Sequence, residues 1–259
     1  MARALHRALI RVVNVTVAFS AIVLALPAMA LIAAGVHSTS PGPILFRQRR
    51  VGRNRRSPRS GIRAVERRHR NLGGELFTLY KFRTMSDRPG EWERWAAVDD
   101  PRVTPLGRLL RRHHLDELPQ LVNVLKGDMN IVGPRPEQPE LFTAIRARVL
   151  TFGRRQRVLP GITGLAQIRL PYARSVDDSR RKLELDLEYI RNRSVWTDLA
   201  IMSRTVPRLL GPPPKGAESA SSPRPLPHRL EGARAPSVVV REARPGDRGV
   251  RRINSLAGG

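Results

Sequence analysis

The chain has 259 residues, with 47 lysines and arginines, 22 acidic residues and no cysteine, which excludes disulfide frameworks, thiolate zinc sites and cysteine nucleophiles. Its length suits one ordinary domain with appendages or two small domains. The net charge of +25 is unevenly spread, because residues 1–70 hold 14 arginines and one acidic residue. This pattern is typical of a segment beside a membrane. It is unlike a uniformly basic nucleic-acid-binding domain.

The first predicted element is a membrane helix within residues 1–46. The 25 residues from Val12 to Val36 carry no charge, and a straight helix of that length reaches about 37 Å, enough to cross a hydrocarbon core of about 30 Å. Arginines on both flanks oppose moving either flank across the membrane, and Pro27 interrupts the hydrogen bonding near the middle. We therefore predict a re-entrant helix that breaks at Pro27, with a spanning anchor and a cleaved signal peptide as alternatives.

Residues 47–76 are predicted to form an arginine-rich loop. From 47 to 70 the sequence has 11 arginines and one acidic residue, Glu66, with Pro58 and Gly61 as chain breakers. A solvated loop is the simplest interpretation. Attachment to anionic lipid headgroups and an RNA-binding segment are the alternatives.

Residues 77–210 are predicted to be the folded catalytic domain, an α/β and mostly helical body. Alternating side chains from Phe77 to Phe82 predict a short strand. Thr104 followed by proline predicts the start of a helix that runs through 112. Lys182 to Asn192 has the spacing of an amphipathic helix. The remaining residues, 211–259, contain eight prolines, seven glycines and no aromatic residue, which predicts a disordered tail.

A further helix is predicted to begin near Asp116 and to end at Gly127, because Pro119 is tolerated only in a first turn. This places Asp116 and Glu117 at a helix N-terminus, where carboxylates complement the helix dipole. The alternative is that the pair supplies a nucleophile or a metal ligand. Basic residues that suit a phosphorylated, magnesium-bound substrate accompany the pair in the sequence: Lys81, Arg83, Arg108, Arg111, Arg112 and Arg135.

Several sequence segments carry a resemblance to a known family. They are Lys-Phe-Arg-Thr-Met (81–85), Asp-Pro-Arg-Val-Thr-Pro-Leu-Gly (100–107), Asp-Glu-Leu-Pro-Gln (116–120), Leu-Lys-Gly-Asp-Met (125–129), Val-Gly-Pro-Arg-Pro (132–136), Pro-Gly-Ile-Thr-Gly-Leu-Ala-Gln (160–167), Leu-Asp-Leu-Glu-Tyr-Ile (185–190) and Ser-Val-Trp-Thr-Asp-Leu (194–199). In this order they resemble the bacterial sugar transferases, the monotopic phosphoglycosyl transferases, over residues 9–206. No other apolar run precedes residue 9, so the chain resembles the minimal form of that family.

The resemblance implies an enzyme that transfers a sugar 1-phosphate from a nucleoside diphosphate sugar, most often UDP-linked, to polyprenyl (undecaprenyl) phosphate. It implies that Asp116 is the nucleophile, that Glu117 assists, and that both carboxylates bind Mg²⁺. It further implies a re-entrant membrane helix and a catalytic domain on the cytoplasmic face of the bacterial inner membrane. The substrate-binding residues that it implies are Lys81, Arg83, Arg111, Arg135 and Asp198.

The expected partners are the sugar nucleotide, the polyprenyl phosphate and membrane lipids, with a homodimer left open and no nucleic acid expected. The product would initiate exopolysaccharide, O-antigen or glycoprotein glycan assembly. Leu165 stands where tryptophan is common in the family, and Arg169-Leu170-Pro171 replaces the usual Asn-Gly-Arg, so the sequence leaves the donor sugar open. A basic RNA- or DNA-binding protein and a non-catalytic membrane scaffold are the alternative functions.

Overall fold

The computed structural model describes residues 2–54, 73–86, 100–170 and 176–210, so most of the arginine-rich segment and the predicted tail at 211–259 lie outside the described residues. Most of the described residues are helical, as predicted. The helices are α1 (Ala2–Thr39), α2 (Pro105–Arg112), α3 (Gln120–Lys126), α4 (Pro139–Arg148), α5 (Leu165–Arg169), α6 (Val176–Arg191) and α7 (Val195–Leu210). The strands are β1 (Leu45–Val51), β2 (Leu76–Phe82), β3 (Asn130–Val132) and β4 (Gly161–Thr163), and 3₁₀ segments cover Leu115–Glu117 and Leu150–Arg157.

Helix α1 is a single continuous α-helix with Pro27 inside it, so the predicted break at Pro27 is wrong. Proline removes one backbone hydrogen bond and bends a helix, but the turns on both sides can continue when side chains pack along its length. The helix is long and apolar enough to cross a membrane, with a mean hydropathy of 2.4 in its most apolar window. Large apolar side chains such as Leu24 and Leu31 are exposed on it.

The first part of α1 is attached to the rest of the described chain by polar contacts. Near its start, Arg11 donates to the carbonyls of Val124 and Leu125 at 2.6 and 2.8 Å, and the Asn14 side chain accepts the N–H of Ile131 at 2.6 Å. The arginine thereby stabilises the C-terminus of α3, where unpaired carbonyls carry partial negative charge. One face of α1 therefore packs against the rest of the described chain, while the opposite face carries exposed apolar side chains.

Strands β1 and β2 form an antiparallel pair in which Leu45 lies opposite Phe82 and Val51 lies opposite Leu76. The predicted strand in β2 is therefore confirmed, with one additional residue. The predicted arginine-rich loop is wrong at its start, because residues 47–51 belong to β1. Arg47 and Arg49 are exposed two positions apart, which suits such a strand because their aliphatic stems can cover the sheet while the charged groups stay in solvent.

Strands β3 and β4 are parallel, and the loop that follows β3 is held against β4. The N–H of Gly133 donates to the carbonyl of Thr163 at 2.9 Å, and the N–H of Gly161 donates to the carbonyl of Pro134 at 3.0 Å. A Cβ atom on Gly161 would lie 2.1 Å from the nitrogen of Gly133, so the close approach requires glycine there. The loop carrying Arg135 therefore leaves the sheet in a fixed direction.

Among the described residues, the largest apolar core joins helix α1 to the rest of the chain. It contains Ala18 of α1, Leu79 of β2, Val124 of α3 and Ile201 of α7. A second cluster packs Val36, near the other end of α1, against the side chains of β2 and α2. Because α1 contributes to both clusters, it is part of the packed structure along much of its length.

Candidate active site

The Asp116–Glu117 pair lies in a 3₁₀ turn between α2 and α3. Helix α2 begins after Thr104, whose side chain accepts the N–H of Gly107 at 2.9 Å, as predicted. His114 then adopts a left-handed backbone conformation, with φ of 54°, and reverses the chain into the turn.

The predicted helix start near Asp116 is wrong, because α3 begins at Gln120 with Pro119 as its N-cap. Proline has no N–H, and its ring disfavours a continuous α-helix through the residues before it. The pair therefore lies ahead of a seven-residue helix. The predicted end of that helix is confirmed, since Gly127 caps it with φ of 86°.

Four of the predicted site residues come together at this turn. The Lys81 ammonium lies 3.3 Å from Asp116 Oδ2 and 2.7 Å from Glu117 Oε1. The Arg135 guanidinium binds Glu117 with two contacts, Nη2 to Oε1 at 2.5 Å and Nη1 to Oε2 at 3.2 Å. Residues from β2, the 3₁₀ turn and the loop after β3 thus form one cluster of two carboxylates and two cations.

The electrostatics of the cluster keep Glu117 ionised. Burial by itself would raise the pKa of Glu117, but the charges of Arg135 and Lys81 and their hydrogen bonds outweigh burial and lower that pKa well below its ordinary value. Both carboxylates are buried, with 6% of Asp116 and 8% of Glu117 exposed. The site can therefore present buried carboxylates next to cations that attract phosphate oxygens.

The loop that carries Arg135 is supported by a buried ion-pair network that sequence reasoning missed. Arg155 donates to the Arg135 carbonyl at 2.9 Å and forms ion pairs with Asp186 at 2.7 Å and Glu137 at 3.1 Å. Lys182 also binds Glu137 at 2.5 Å. The sequence signal was weak, because these residues lie in separate segments and a buried arginine has no local pattern of its own.

Replacing Glu137 by glutamine should destabilise the fold in a pH-dependent way. Burial would raise the pKa of Glu137, but Lys182 and Arg155 lower it from 4.5 to about 2. This shift corresponds to roughly 3 kcal/mol of stabilisation of the ionised carboxylate in the folded protein. A depressed folded-state pKa adds stability above the unfolded value near 4.5, and this stability is lost as the pH falls toward 2. The difference in unfolding free energy between wild type and Glu137→Gln should be largest at pH 7 and shrink toward pH 3.

Urea unfolding in detergent at several pH values measures this difference. Glu184→Gln, at an exposed position in the middle of α6, is the matched control and should change the unfolding free energy by at most about 0.5 kcal/mol. A wild-type advantage over Glu137→Gln that stays constant from pH 7 to pH 3 would contradict the ion-pair interpretation.

The described contacts of Arg83 and Arg111 are made with groups outside the four-residue cluster. The buried Arg83 donates from Nη2 to the carbonyls of Val36 and Ser40 at 3.3 and 2.5 Å, and so caps the C-terminal end of α1. Arg111 donates from Nε to the Thr84 hydroxyl at 2.8 Å. Substrate binding by these two residues stays a prediction.

Asp198 also lies outside the cluster, in α7. Its Oδ1 accepts the Tyr189 hydroxyl at 2.7 Å, and burial raises the pKa of its carboxyl despite this hydrogen bond. The same hydroxyl lies 3.1 Å from the Val132 carbonyl at the end of β3. The pair therefore connects α6 and α7 to the strand that precedes Arg135, and a substrate contact of Asp198 stays a prediction.

Asp116 and Glu117 could hold a magnesium ion. Within the described ranges, no group of three or more His, Cys, Asp or Glu side chains could hold a metal by itself. Magnesium commonly takes only one or two protein carboxylates and completes its six ligands with water and substrate phosphates. The donor set of the turn fits that pattern, provided that Glu117 exchanges a cationic contact for the ion.

Comparison with known proteins identifies the family. The sequence model of the family described as "Bacterial sugar transferase" matches residues 5–212, about four fifths of the chain. The chain belongs to the bacterial sugar transferase family. The matched part contains the whole cluster of Lys81, Asp116, Glu117 and Arg135. Family membership, together with relatives that are named as sugar phosphotransferases, makes the chain an enzyme of the phosphoglycosyl transferase type.

Three relatives in the sugar transferase family illustrate the similarity. The UDP-glucose:undecaprenyl-phosphate glucose-1-phosphate transferase of Caulobacter vibrioides is 40% identical over 203 residues, covering 77% of this chain and 69% of the relative. The UDP-N-acetylgalactosamine-undecaprenyl-phosphate N-acetylgalactosaminephosphotransferase of Aeromonas hydrophila is 37% identical over 77% of this chain and 43% of its own length. The exopolysaccharide production protein ExoY of Rhizobium meliloti is 33% identical over 75% of this chain and 82% of the relative. The chain thus spans less than half of the Aeromonas relative.

Proposed function

We propose that this enzyme transfers a sugar 1-phosphate from a UDP-sugar to undecaprenyl phosphate, releases UMP and so initiates exopolysaccharide assembly. The relatives named for this reaction with glucose and with N-acetylgalactosamine support the reaction class. The observation that carries the proposal is the buried Asp116 carboxylate held beside Lys81 and the Glu117–Arg135 pair.

The proposed reaction has two steps on one phosphorus atom. An Asp116 carboxylate oxygen attacks the phosphorus that bears the sugar, the bond to UMP breaks, and a phosphosugar remains covalently bound to the enzyme. An oxygen of undecaprenyl phosphate then attacks the same phosphorus, releases the Asp116 carboxylate and forms the lipid diphosphosugar. Lys81 and Arg135 would neutralise negative charge on the phosphoryl oxygens during both steps.

Magnesium belongs to the proposal as the cofactor that Asp116 and Glu117 would hold. When bound, such an ion neutralises diphosphate charge and orients the phosphates. The protein's own residues then keep the carboxylates buried and the cations fixed beside them, which limits reorganisation when the substrate binds.

The test of the proposed function is a panel of UDP-sugars incubated with undecaprenyl phosphate, with UMP release as the readout. At least one UDP-sugar should give UMP release that requires the lipid for multiple turnovers, and EDTA should stop it. Asp116→Asn is the matched inactive control. No turnover with any sugar nucleotide would contradict the proposal and favour the non-catalytic scaffold.

We also propose that α1 associates with the membrane from one side, with both ends and the catalytic body on the cytoplasmic face of the inner membrane. Asn14 and Val36 are separated by about 33 Å of helix, and residues at both positions bind the same catalytic body. A helix that spans the membrane would have to release one of these ends. The exposed apolar face of α1 would then meet lipid, and the flanking arginines would stay on the cytoplasmic side.

Single cysteines at Leu5 and Arg49 should therefore share one accessibility to an impermeant thiol reagent. Both positions are exposed, and the chain contains no native cysteine that would react in the background. In right-side-out vesicles neither cysteine should react, and in inverted vesicles both should react. Opposite accessibilities at the two positions would rule out one-sided association.

A further inference from the structure

A side chain takes the place of a strand at the second edge of β2. Among the described residues, β2 pairs with β1 on one edge, in a two-stranded sheet. On its other edge, Asn123 Oδ1 accepts the N–H of Tyr80 at 3.2 Å, and Asn123 Nδ2 donates to the carbonyl of Thr78 at 2.7 Å. One side-chain amide thereby satisfies a backbone donor and a backbone acceptor of β2.

This contact lies next to the active-site lysine in the chain. Tyr80 directly precedes Lys81, and Asn123 belongs to α3, the helix that follows the Asp116–Glu117 turn. The turn continues into α3 through backbone hydrogen bonds, including the one from the Leu121 N–H to the Leu118 carbonyl at 3.1 Å. The side chain of Asn123 is completely buried, so water does not compete for its contacts with β2.

We propose that Asn123 is a positioning residue, which fixes β2 against α3 and so keeps the Lys81 ammonium in contact with Asp116 and Glu117. A lysine side chain has four flexible carbons, and its ammonium keeps a defined position only when its backbone is fixed. An apolar residue at 123 would leave the N–H of Tyr80 and the carbonyl of Thr78, on two half-buried residues, without these partners where they face the completely buried position 123. The strand would then shift or open locally, and Lys81 would move with it.

The contact can be tested without reference to catalysis, because the chain has only four lysines, Lys81, Lys126, Lys182 and Lys215. The acetylation rate of each lysine by an amine reagent can be followed by peptide mass spectrometry on the full chain in detergent. In Asn123→Ala, the rate at Lys81 should rise about threefold or more, because local opening exposes its ammonium to the reagent. The rate at Lys182, which pairs with Glu137 elsewhere, should stay at the wild-type value.

Two further variants control this experiment. Asp128→Asn changes the partner of the third Asn123 contact, at 3.2 Å, and leaves both contacts to β2 in place, so Lys81 should react at the wild-type rate. Asn123→Asp keeps an acceptor for the Tyr80 N–H but loses the donor to Thr78, and Lys81 should again react faster. The proposal is overturned if Lys81 is unchanged in folded Asn123→Ala and Asn123→Asp, or if Lys81 and Lys182 accelerate equally.

The consequence for turnover rests on the proposed function. Asn123→Ala should lower kcat by about tenfold or more with a smaller change in KM for the sugar nucleotide, because the misplaced lysine acts on the reacting phosphoryl group. Asn123→Ala combined with Lys81→Met should be no slower than Lys81→Met alone, whereas additive losses would overturn the positioning role. If wild type turns over no sugar nucleotide, the proposed function fails and the acetylation rates still decide the role of Asn123.

Discussion

Replacing Asp116 by asparagine should lower turnover by about a thousandfold or more while the protein remains folded. Asparagine has nearly the same shape and can still accept a hydrogen bond from Lys81, which lies 3.3 Å from the aspartate oxygen. It cannot form the covalent bond to phosphorus that the proposed mechanism requires. The neighbouring carboxylate of Glu117 is held by Lys81 and Arg135, so we do not expect it to take over the attack. UMP release in the presence of undecaprenyl phosphate measures the loss, and thermal unfolding in detergent checks the fold.

Asp128→Asn is the matched control for this experiment, since it makes the same chemical change outside the Lys81, Asp116, Glu117 and Arg135 cluster. It should keep turnover within about threefold of wild type. The capping interpretation of Asp116 predicts a modest change in stability and nearly normal turnover. Substantial turnover by Asp116→Asn would therefore remove Asp116 from the role of nucleophile.

Replacing Arg135 by methionine should lower kcat/KM by about a hundredfold, or about 2.7 kcal/mol of transition-state stabilisation. Methionine keeps much of the apolar stem but removes both contacts to Glu117 and one of the two cations beside the carboxylates. Arg135→Lys should recover only part of the activity, because an ammonium cannot reproduce the two-contact geometry of a guanidinium. Steady-state kinetics with a single UDP-sugar gives these values.

The control for Arg135 is Arg148→Met, which removes an exposed arginine at the end of α4. Its kcat/KM should stay within about twofold of wild type, because an exposed charge away from the cluster contributes little. Equal losses in Arg135→Met and Arg148→Met would mean that overall positive charge, rather than the Arg135–Glu117 contact, supports the reaction.

Local signals in the sequence predicted the elements whose ends depend on single residues. Thr104 before a proline predicted the start of α2, and Gly127 predicted the end of α3, because capping depends on one side chain or one backbone conformation. The resemblance named Lys81, Asp116 and Arg135, and the structure brings these residues together. The 3₁₀ turn itself was not predictable, since nothing in the local pattern of residues 115–117 distinguishes such a turn from the first turn of α3.

The contacts that the sequence could not predict join residues far apart in the chain. Arg11 and Asn14 lie in a segment that reads as a membrane helix, yet their polar groups bind α3 and β3 more than 100 residues later. Arg155 lies in an arginine-rich 3₁₀ segment with no distinguishing pattern, yet it is buried and binds the Arg135 carbonyl. Asn123 reads as an ordinary polar position of a short helix, although it pairs with β2. Such contacts follow from tertiary packing, and local propensity does not encode them.

The intact mass of the protein after reaction with donor alone tests the central mechanism most directly. Wild type mixed with a UDP-sugar, without undecaprenyl phosphate, and quenched in acid should gain the mass of one sugar phosphate less one water and release about one UMP per enzyme. Peptide mapping should place the adduct on Asp116, added undecaprenyl phosphate should remove it, and Asp116→Asn should never form it. Turnover with both substrates but no adduct, or an adduct on another residue, would contradict the covalent mechanism.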